Sequence, residues 1–299
     1  MDQIIFMTKV RTPAGKRAAY LLIESIRAFG GDMSNCSFWV FDLGKQDTSC
    51  QDLESEVVRI IPLDVPKNLL DYPFGDKVYA CAYAEELAPA SVHSLVWIDP
   101  LCLVVSPPVL YGLAGEMDAA IRPVHIRNVG LRKAEPLDTY WKNIYETVGV
   151  GDIDVVVESF VDRQPIRAYF NTHAFAVNPA KRLLHAWLEV FEKLISDKEF
   201  QVSACQGYFH QVFLHQAVLS ALLAASLDLN RVRILPPEYN YPYNLHQSLA
   251  PDRRAAALND LVSFTYEDRS IALAGVTDIE IREPLRSWLE QHATDVALS

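Results

Sequence analysis

Hydrophobic positions along the chain fall into short unbroken runs separated by stretches with helical spacing. Residues 3–7, 37–41, 57–61, 95–98, 101–105, 119–123, 169–177, 231–235 and 261–266 read as strands. The runs at 95–98 and 101–105 show no polar alternation, as expected of strands buried on both faces. After the first strand, Ala18, Leu21, Leu22, Ile26 and Phe29 recur on one helical face, with Thr12 as N-cap, Pro13 at the first position and Gly30-Gly31 as the stop. This β-α-β-β opening predicts an α/β fold whose sheet is at least partly parallel. Residues 67–76 read as a loop, and Asp76 as the cap of a helix over 77–88. Another helix is expected around 137–148. A further one follows Asn178-Pro179, with Leu184, Trp187, Leu188, Phe191 and Ile195 as its buried stripe. A long helix over 204–227 puts Phe209, Val212, Phe213, Gln216, Leu219 and Leu223 on one face, and the tail from about 283 is helical. No repeat or clear linker interrupts the chain, so one domain is expected over 1–299, with 125–168 as an insertion or lid.

Polar residues inside the apolar runs are the candidates for chemistry. Asp99 ends a buried run and precedes Pro100, which cannot donate a ladder hydrogen bond. The C-terminal end of a strand is where open α/β sheets bind ligands; a turn aspartate bonding its own backbone is the equal alternative. Asn171, Thr172 and His173 interrupt another strand, and with Asp99 they predict a pocket at the C-terminal strand ends. Gln216 lies within an apolar stripe, where a buried amide needs a partner: a neighbouring backbone or a ligand. His210 and His215 are five apart, which is not the spacing of a helical metal pair, and His210 reads as a core or rim residue. Lys77 falls in a helix's first turn, which the macrodipole disfavours; it is either a solvated lysine or a phosphate contact. The aromatic, Asn-rich stretch 236–245 reads as a loop packed on the domain, with stacking on a sugar or base as the rarer use.

Composition narrows the classes. A net charge of −11 argues against nucleic acid or an anionic membrane surface as partner, without excluding a local phosphate pocket. The five cysteines form no Cys-x-x-Cys pair; Cys81 and Cys102 read as buried thiols. With no signal-peptide pattern and no apolar run near the ~20 residues of a membrane span, a reduced cytoplasmic setting is expected. There is no Gly-x-Ser-x-Gly elbow and no Gly-x-x-x-x-Gly-Lys loop, and Gly149-x-Gly151 lacks the third glycine of a dinucleotide fingerprint.

Taken in order, these parts resemble the GT-A class of nucleotide-sugar glycosyltransferases, closest to the retaining, family-8-like branch. Residues 94–108 look like the strand, Asp-x-Asp metal motif and strand of such enzymes. Phe170-Asn171-Thr172-His173 is similar to their Phe-Asn-Ser/Thr-Gly strand, His215-Gln216 to their Asp-Gln pair, and 235–241 to the Leu-Pro…Tyr-Asn segment. The resemblance covers most of residues 1–270. It implies a GT-A-like, mixed, mainly parallel sheet flanked by helices, and sugar transfer from a nucleotide-sugar, most simply a UDP-sugar, to an acceptor. It assigns Thr8, Lys9 and Val10 to the base and ribose, Lys77 to the donor phosphates, and Asp99, Asn171 and His173 to the donor. Gln216, with His215 beside it, falls beneath the anomeric carbon. The implied Mn²⁺ or Mg²⁺ keeps only Asp99 as a ligand, because Leu101 replaces the second aspartate and the late histidine has no counterpart. The leaving diphosphate would then be met by Lys9, Lys77, or His173 and His215 in protonated form. The alternative is an inactive relative of the same fold that serves as a binding or assembly protein.

Overall fold

The computed structural model describes residues 3–44, 49–267, 269–272, 275–276 and 278–292. In chain order the strands and helices begin with β1 (Ile4–Val10), α1 (Pro13–Phe29), β2 (Ser37–Asp42), β3 (Val58–Pro62), α2 (Lys67–Leu70), α3 (Gly75–Leu87), β4 (Ser94–Ile98) and β5 (Cys102–Val104). Then come β6 (Ala119–Pro123), α4 (Thr139–Val148), β7 (Val156–Glu158), β8 (Pro165–Arg167), β9 (Phe170–Val177), α5 (Leu183–Ser196), α6 (Lys198–Ser203) and α7 (Tyr208–Ser226). The chain closes with β10 (Val232–Ile234), β11 (Tyr241–Pro242), β12 (Ser263–Thr265) and α8 (Leu285–His292). Seven strands form the main sheet in the order β10-β6-β9-β4-β1-β2-β3. The β1–β2, β2–β3 and β10–β6 pairs are parallel and β6–β9 is antiparallel, giving the mixed, mainly parallel sheet of a GT-A-like fold.

The chain divides into two compact units. The first holds the chain up to Leu63, Val96–Gly112 and the chain from Leu235. Here Thr12 caps α1 through Gly15 N–H, and Gly30 closes it by donating to the Ile26 carbonyl. Ala18, Leu21, Leu22 and Ile26 are buried on its apolar face, with Phe29 half-buried. Ser25 Oγ accepts from Val104 N–H at 3.1 Å, tying α1 to β5. Strand β5 belongs to a small separate sheet, β11-β12-β5, pairing antiparallel with β12. The 236–245 loop packs inward, with Tyr239, Tyr241 and Tyr243 all buried. Cys102, like Cys81 of the second unit, is a buried thiol.

The second unit holds Asp64–Leu95 and Leu113–Ile234. Helix α5 has the expected buried Leu184, Trp187 and Phe191, with Leu188 and Ile195 half-buried. Its start is unusual. Asn178 caps only a short 3-10 turn, and Arg182, in the left-handed region at φ 55°, precedes α5 without a side-chain cap. The cap comes instead from α3, where buried Glu85 accepts from Leu184 N–H at 3.2 Å and His185 N–H at 2.9 Å. The expected 204–227 helix is shorter at its front. It begins at Tyr208, after α6 and the turn at Gly207, and so leaves Phe209 59% exposed rather than in the stripe. Segment 125–168 carries α4, capped by Asp138 through Trp141 N–H, and the β7–β8 hairpin. No helix among the described residues is long and apolar enough to cross a membrane.

Candidate active site

In the second unit the sequence-predicted residues converge on Thr172, one of the three polar residues that interrupt the strand but one assigned no role of its own from the sequence. Its carbonyl accepts from Lys77 Nζ at 2.5 Å, its N–H donates to Gln216 Oε1 at 3.2 Å, and its hydroxyl lies 3.0 Å from His215 Nε2. Thus β9, α3 and α7 are joined through one residue whose backbone and side-chain polar groups are all engaged. Each polar member is buried: Thr172 is 1% exposed, Lys77 0%, His215 3% and Gln216 5%. Groups buried this deeply are normally hydrogen-bonded.

Helix α3 places Lys77 by a route the sequence did not disclose. Asp76 is not its cap. The helix starts two residues earlier, at Gly75 after Phe74 in the left-handed region at φ 60°. Gly75 at that start is required by close approach, since a Cβ there would lie 2.3 Å from the Leu69 carbonyl oxygen. The tight turn drives Lys77 inward, so the solvated-lysine reading is overturned, and the predicted loop at 67–76 contains the helical turn α2. Phe74 in turn stacks on His215, ring centroids 4.3 Å apart.

His215 is held on all sides. Its Nδ1 lies 2.9 Å from the Val212 carbonyl, which only accepts, so Nδ1 carries a proton. Nε2 is then free to accept from the Thr172 hydroxyl in the neutral ring. Trp187 stacks on the imidazole at 6.3 Å and donates its indole N–H to the His215 carbonyl at 2.7 Å. Gln216 is fixed in orientation too, because a backbone N–H can donate only to its amide oxygen. Of the two partners expected for this amide, the neighbouring backbone is present. Tyr169, wholly buried, has its phenol pushed far up by burial, an effect that the Gln216 amide offsets in part.

Asn171 and His173 flank Thr172 where β9 is irregular. Ala120 and Arg122 of β6 are separated by one residue, while their partners Ala176 and Asn171 are separated by four. The three extra residues of β9 bulge, a device that re-aims side chains beside functional sites. Asn171 Oδ1 accepts from His173 N–H at 2.7 Å within the bulge, and the His173 ring lies 6.1 Å from His125. Because β9 runs antiparallel to β6, its beginning lies against the C-terminal end of β6. His210 is a rim residue at the start of α7, its ring edge-on to Tyr140 at 4.8 Å.

The first unit holds the remaining candidates. Strand β1 runs three residues further than its apolar run, so Thr8, Lys9 and Val10 are its last residues. Thr8 and Val10 are fully buried, Lys9 is half-buried, and Thr8 Oγ1 has no hydrogen-bond partner. Asp99 follows β4 in a tight turn, where Cys102 N–H donates to the Asp99 carbonyl at 3.1 Å. Its carboxylate accepts from the Trp97 indole at 2.7 Å and is half-buried. The donor set around Asp99, among the described residues, does not fit a resident divalent ion. Among the described residues no three His, Cys, Asp or Glu side chains stand together. Such ions want several oxygen ligands, and Leu101 stands where a second carboxylate would be needed.

Comparison with known proteins adds the family. No curated protein matches the sequence. Solved structures match in fold, two of them glycosyltransferases. One is the galactosyltransferase LgtC in complex with donor and acceptor sugar analogues, 18% identical over 89% of this chain and 87% of that one, with TM-score 0.50. The other is the apo form of the bifunctional glycosyltransferase WbbM, 14% identical over 89% of this chain and 45% of that one, with TM-score 0.51. The model of the Rhodobacterales glycosyltransferase domain matches residues 10–225, well over half the chain, and so the chain belongs to that family of glycosyltransferases.

Proposed function

We propose that this glycosyltransferase draws its sugar from a nucleotide-sugar donor, a UDP-sugar first, and that the Thr172 cluster positions that sugar. The observation carrying the reading is that Lys77, His215 and Gln216, from two helices, all anchor to one bulged strand. Preorganised polar groups in a water-poor setting are what stabilise developing charge in group transfer. With Oε1 committed to Thr172, the NH2 of Gln216, which also faces the Tyr169 phenol, is the end left to meet the sugar. It orients a hydroxyl beside the anomeric carbon rather than lending its oxygen to an oxocarbenium centre. His215 is a positioning residue that fixes the Thr172 hydroxyl. Lys77 adds buried positive charge beneath the same strand. In the first unit, Thr8 Oγ1 and Val10 line the base and ribose, and half-buried Lys9 faces the diphosphate.

Because the side chains present do not suit a divalent ion, this reading routes no step through one. Charge on the leaving diphosphate falls to Lys9. A retaining outcome, as the family-8-like resemblance implies, is the stereochemistry this reading favours.

The test is a thermal-shift panel of nucleoside diphosphates and their sugars. A ligand that binds the native state raises the melting temperature by mass action, about 2.7 kcal/mol of stabilisation at 100 times its Kd. UDP and a UDP-hexose should shift the transition while GDP and CDP counterparts do not. A panel with no shift would remove the nucleotide-sugar reading.

A further inference from the structure

A second concavity of the second unit is formed by the residues around Arg127–Leu131, by Glu135 and Asp138, and by the start of α7. Its volume is about 530 Å³, within the usual range of small-molecule sites. Two aromatic rings are left in water here: Tyr208 is 74% exposed and Phe209 59%. They begin a helix whose later part, Leu214–Leu223, is entirely buried. An exposed aromatic pair at the mouth of a cavity is the kind of apolar surface that marks a binding site.

The platform is rigid. Tyr208 and Phe209 meet edge to face at 5.7 Å, and Phe209 stacks on Phe213 at 6.0 Å. Behind them, Tyr140 donates its hydroxyl to the His210 carbonyl at 3.1 Å. Both glycines in the lining are constrained. A Cβ on Gly207 would lie 2.9 Å from His210 Nδ1, and one on Gly130 2.9 Å from the Tyr169 ring. The first turn of α7 has no side-chain cap, leaving backbone N–H donors at the same place.

The polar lining selects the ligand. Arg127 pairs with Glu135 at 3.2 Å, and Asp138 adds a second carboxylate against that one guanidinium. This balance disfavours a phosphate or carboxylate ligand. Exposed Asn128 supplies an amide that both donates and accepts. Apolar ring faces beside carboxylate, amide and guanidinium groups match a neutral pyranose, whose C–H face packs on an aromatic while its hydroxyls hydrogen-bond at the edge.

We propose that this cavity binds a neutral pyranose of the acceptor saccharide, with the Tyr208–Phe209 pair under its apolar face. The proposal deepens the glycosyltransferase reading above and rests on it for the word acceptor. The binding itself is tested apart from catalysis, by saturation-transfer NMR of the full chain with lactose, maltose and methyl β-glucoside. At least one probe should bind, and the Y208A/F209A double variant should weaken it about tenfold or more. Hydrolysis of UDP-hexose without acceptor should stay unchanged in that variant, whose substitutions lie on exposed side chains. The N128A variant should weaken the same probe. No saturation transfer from any probe, or equal binding by wild type and the double variant, would overturn the proposal. So would light scattering showing that Y208A/F209A converts a dimer to a monomer, since the rings would then serve a second copy. Absent donor hydrolysis in the wild type would strike the donor reading alone, because the NMR arm still decides the sugar site.

Discussion

Around Thr172, three side chains from two helices take up the carbonyl, the N–H and the hydroxyl of one strand residue, all out of water. Asp99 is held differently: half-buried in a turn, its carboxylate is bonded to an indole two residues before it. The difference separates two ways of keeping a polar residue in an apolar chain. The Thr172 cluster is part of the fold's architecture, so its members serve stability, and in the proposed reading chemistry as well. The Asp99 turn has its geometry fixed by the backbone, so its charge is open to change without disturbing the fold. Sites of the first kind keep their residue types under both constraints.

That contrast is broken or sharpened by substitution, starting with the largest effect. Lys77→Ala removes a buried stem and strands the Thr172 carbonyl. A loss of about 2–4 kcal/mol in denaturant unfolding is expected, the sum of a cavity and an unmade hydrogen bond. Asp99→Asn keeps an oxygen for the Trp97 indole and should shift stability by about 0.5 kcal/mol or less. Equal losses at the two positions would abolish the distinction.

Gln216→Ala comes next. The Thr172 N–H would be left buried without its acceptor, at a cost of about 1–3 kcal/mol. Transfer should fall about 100-fold as the sugar loses its positioning group. An unchanged melting temperature would show that the amide does not hold the strand, and unchanged turnover that it does not touch the sugar.

The smallest effect concerns pH. Burial raises the pKa of Glu85, and the two α5 N–H bonds only partly offset it. The folded state therefore holds this proton to higher pH than the unfolded chain. Its contribution is fully present below the unfolded carboxyl value, near 4.3, and is lost as pH rises through the folded pKa. Asp118 is shifted the other way, lowered chiefly by its hydrogen bond with Arg231 and further by Lys181. Its contribution is present above the unfolded aspartate value and lost as pH falls through the folded one. Unfolding free energies from pH 3 to 7 should lose their downward slope with rising pH in Glu85→Gln. They should lose the acid-side decline in Asp118→Asn.

Much of this fold could be read from the chain. The Thr12-Pro13 start and Gly30 stop of α1, the strand at 119–123 and the β-α-β-β opening depend on local chemistry, which a sequence displays. Two of the departures share one cause, a partner distant in the chain. Glu85 caps a helix about a hundred residues later, and β5 leaves the main sheet to pair with β12. Lys77 is buried because Gly75 lets the backbone come up against Leu69. In the site, Gln216 stood out as an amide in an apolar stripe, and the structure gives it the backbone partner that stripe demanded. Thr172 stood out only as one of three polar residues in its strand, and its central place did not show, since threonine is ordinary in a strand. The three-residue excess of β9 over β6, which marks it, exists only once the strands are paired.

The central claim is that donor chemistry here rests on the chain's own polar groups, with Gln216 at the sugar and no resident divalent ion. Release of UDP from a UDP-hexose, followed for wild type and Gln216→Ala in chelator and in Mn²⁺, tests it most directly. The account predicts wild-type release at equal rates in both conditions and a loss of about 100-fold in the variant under each. Release seen only with Mn²⁺, or a variant as fast as wild type, would contradict it.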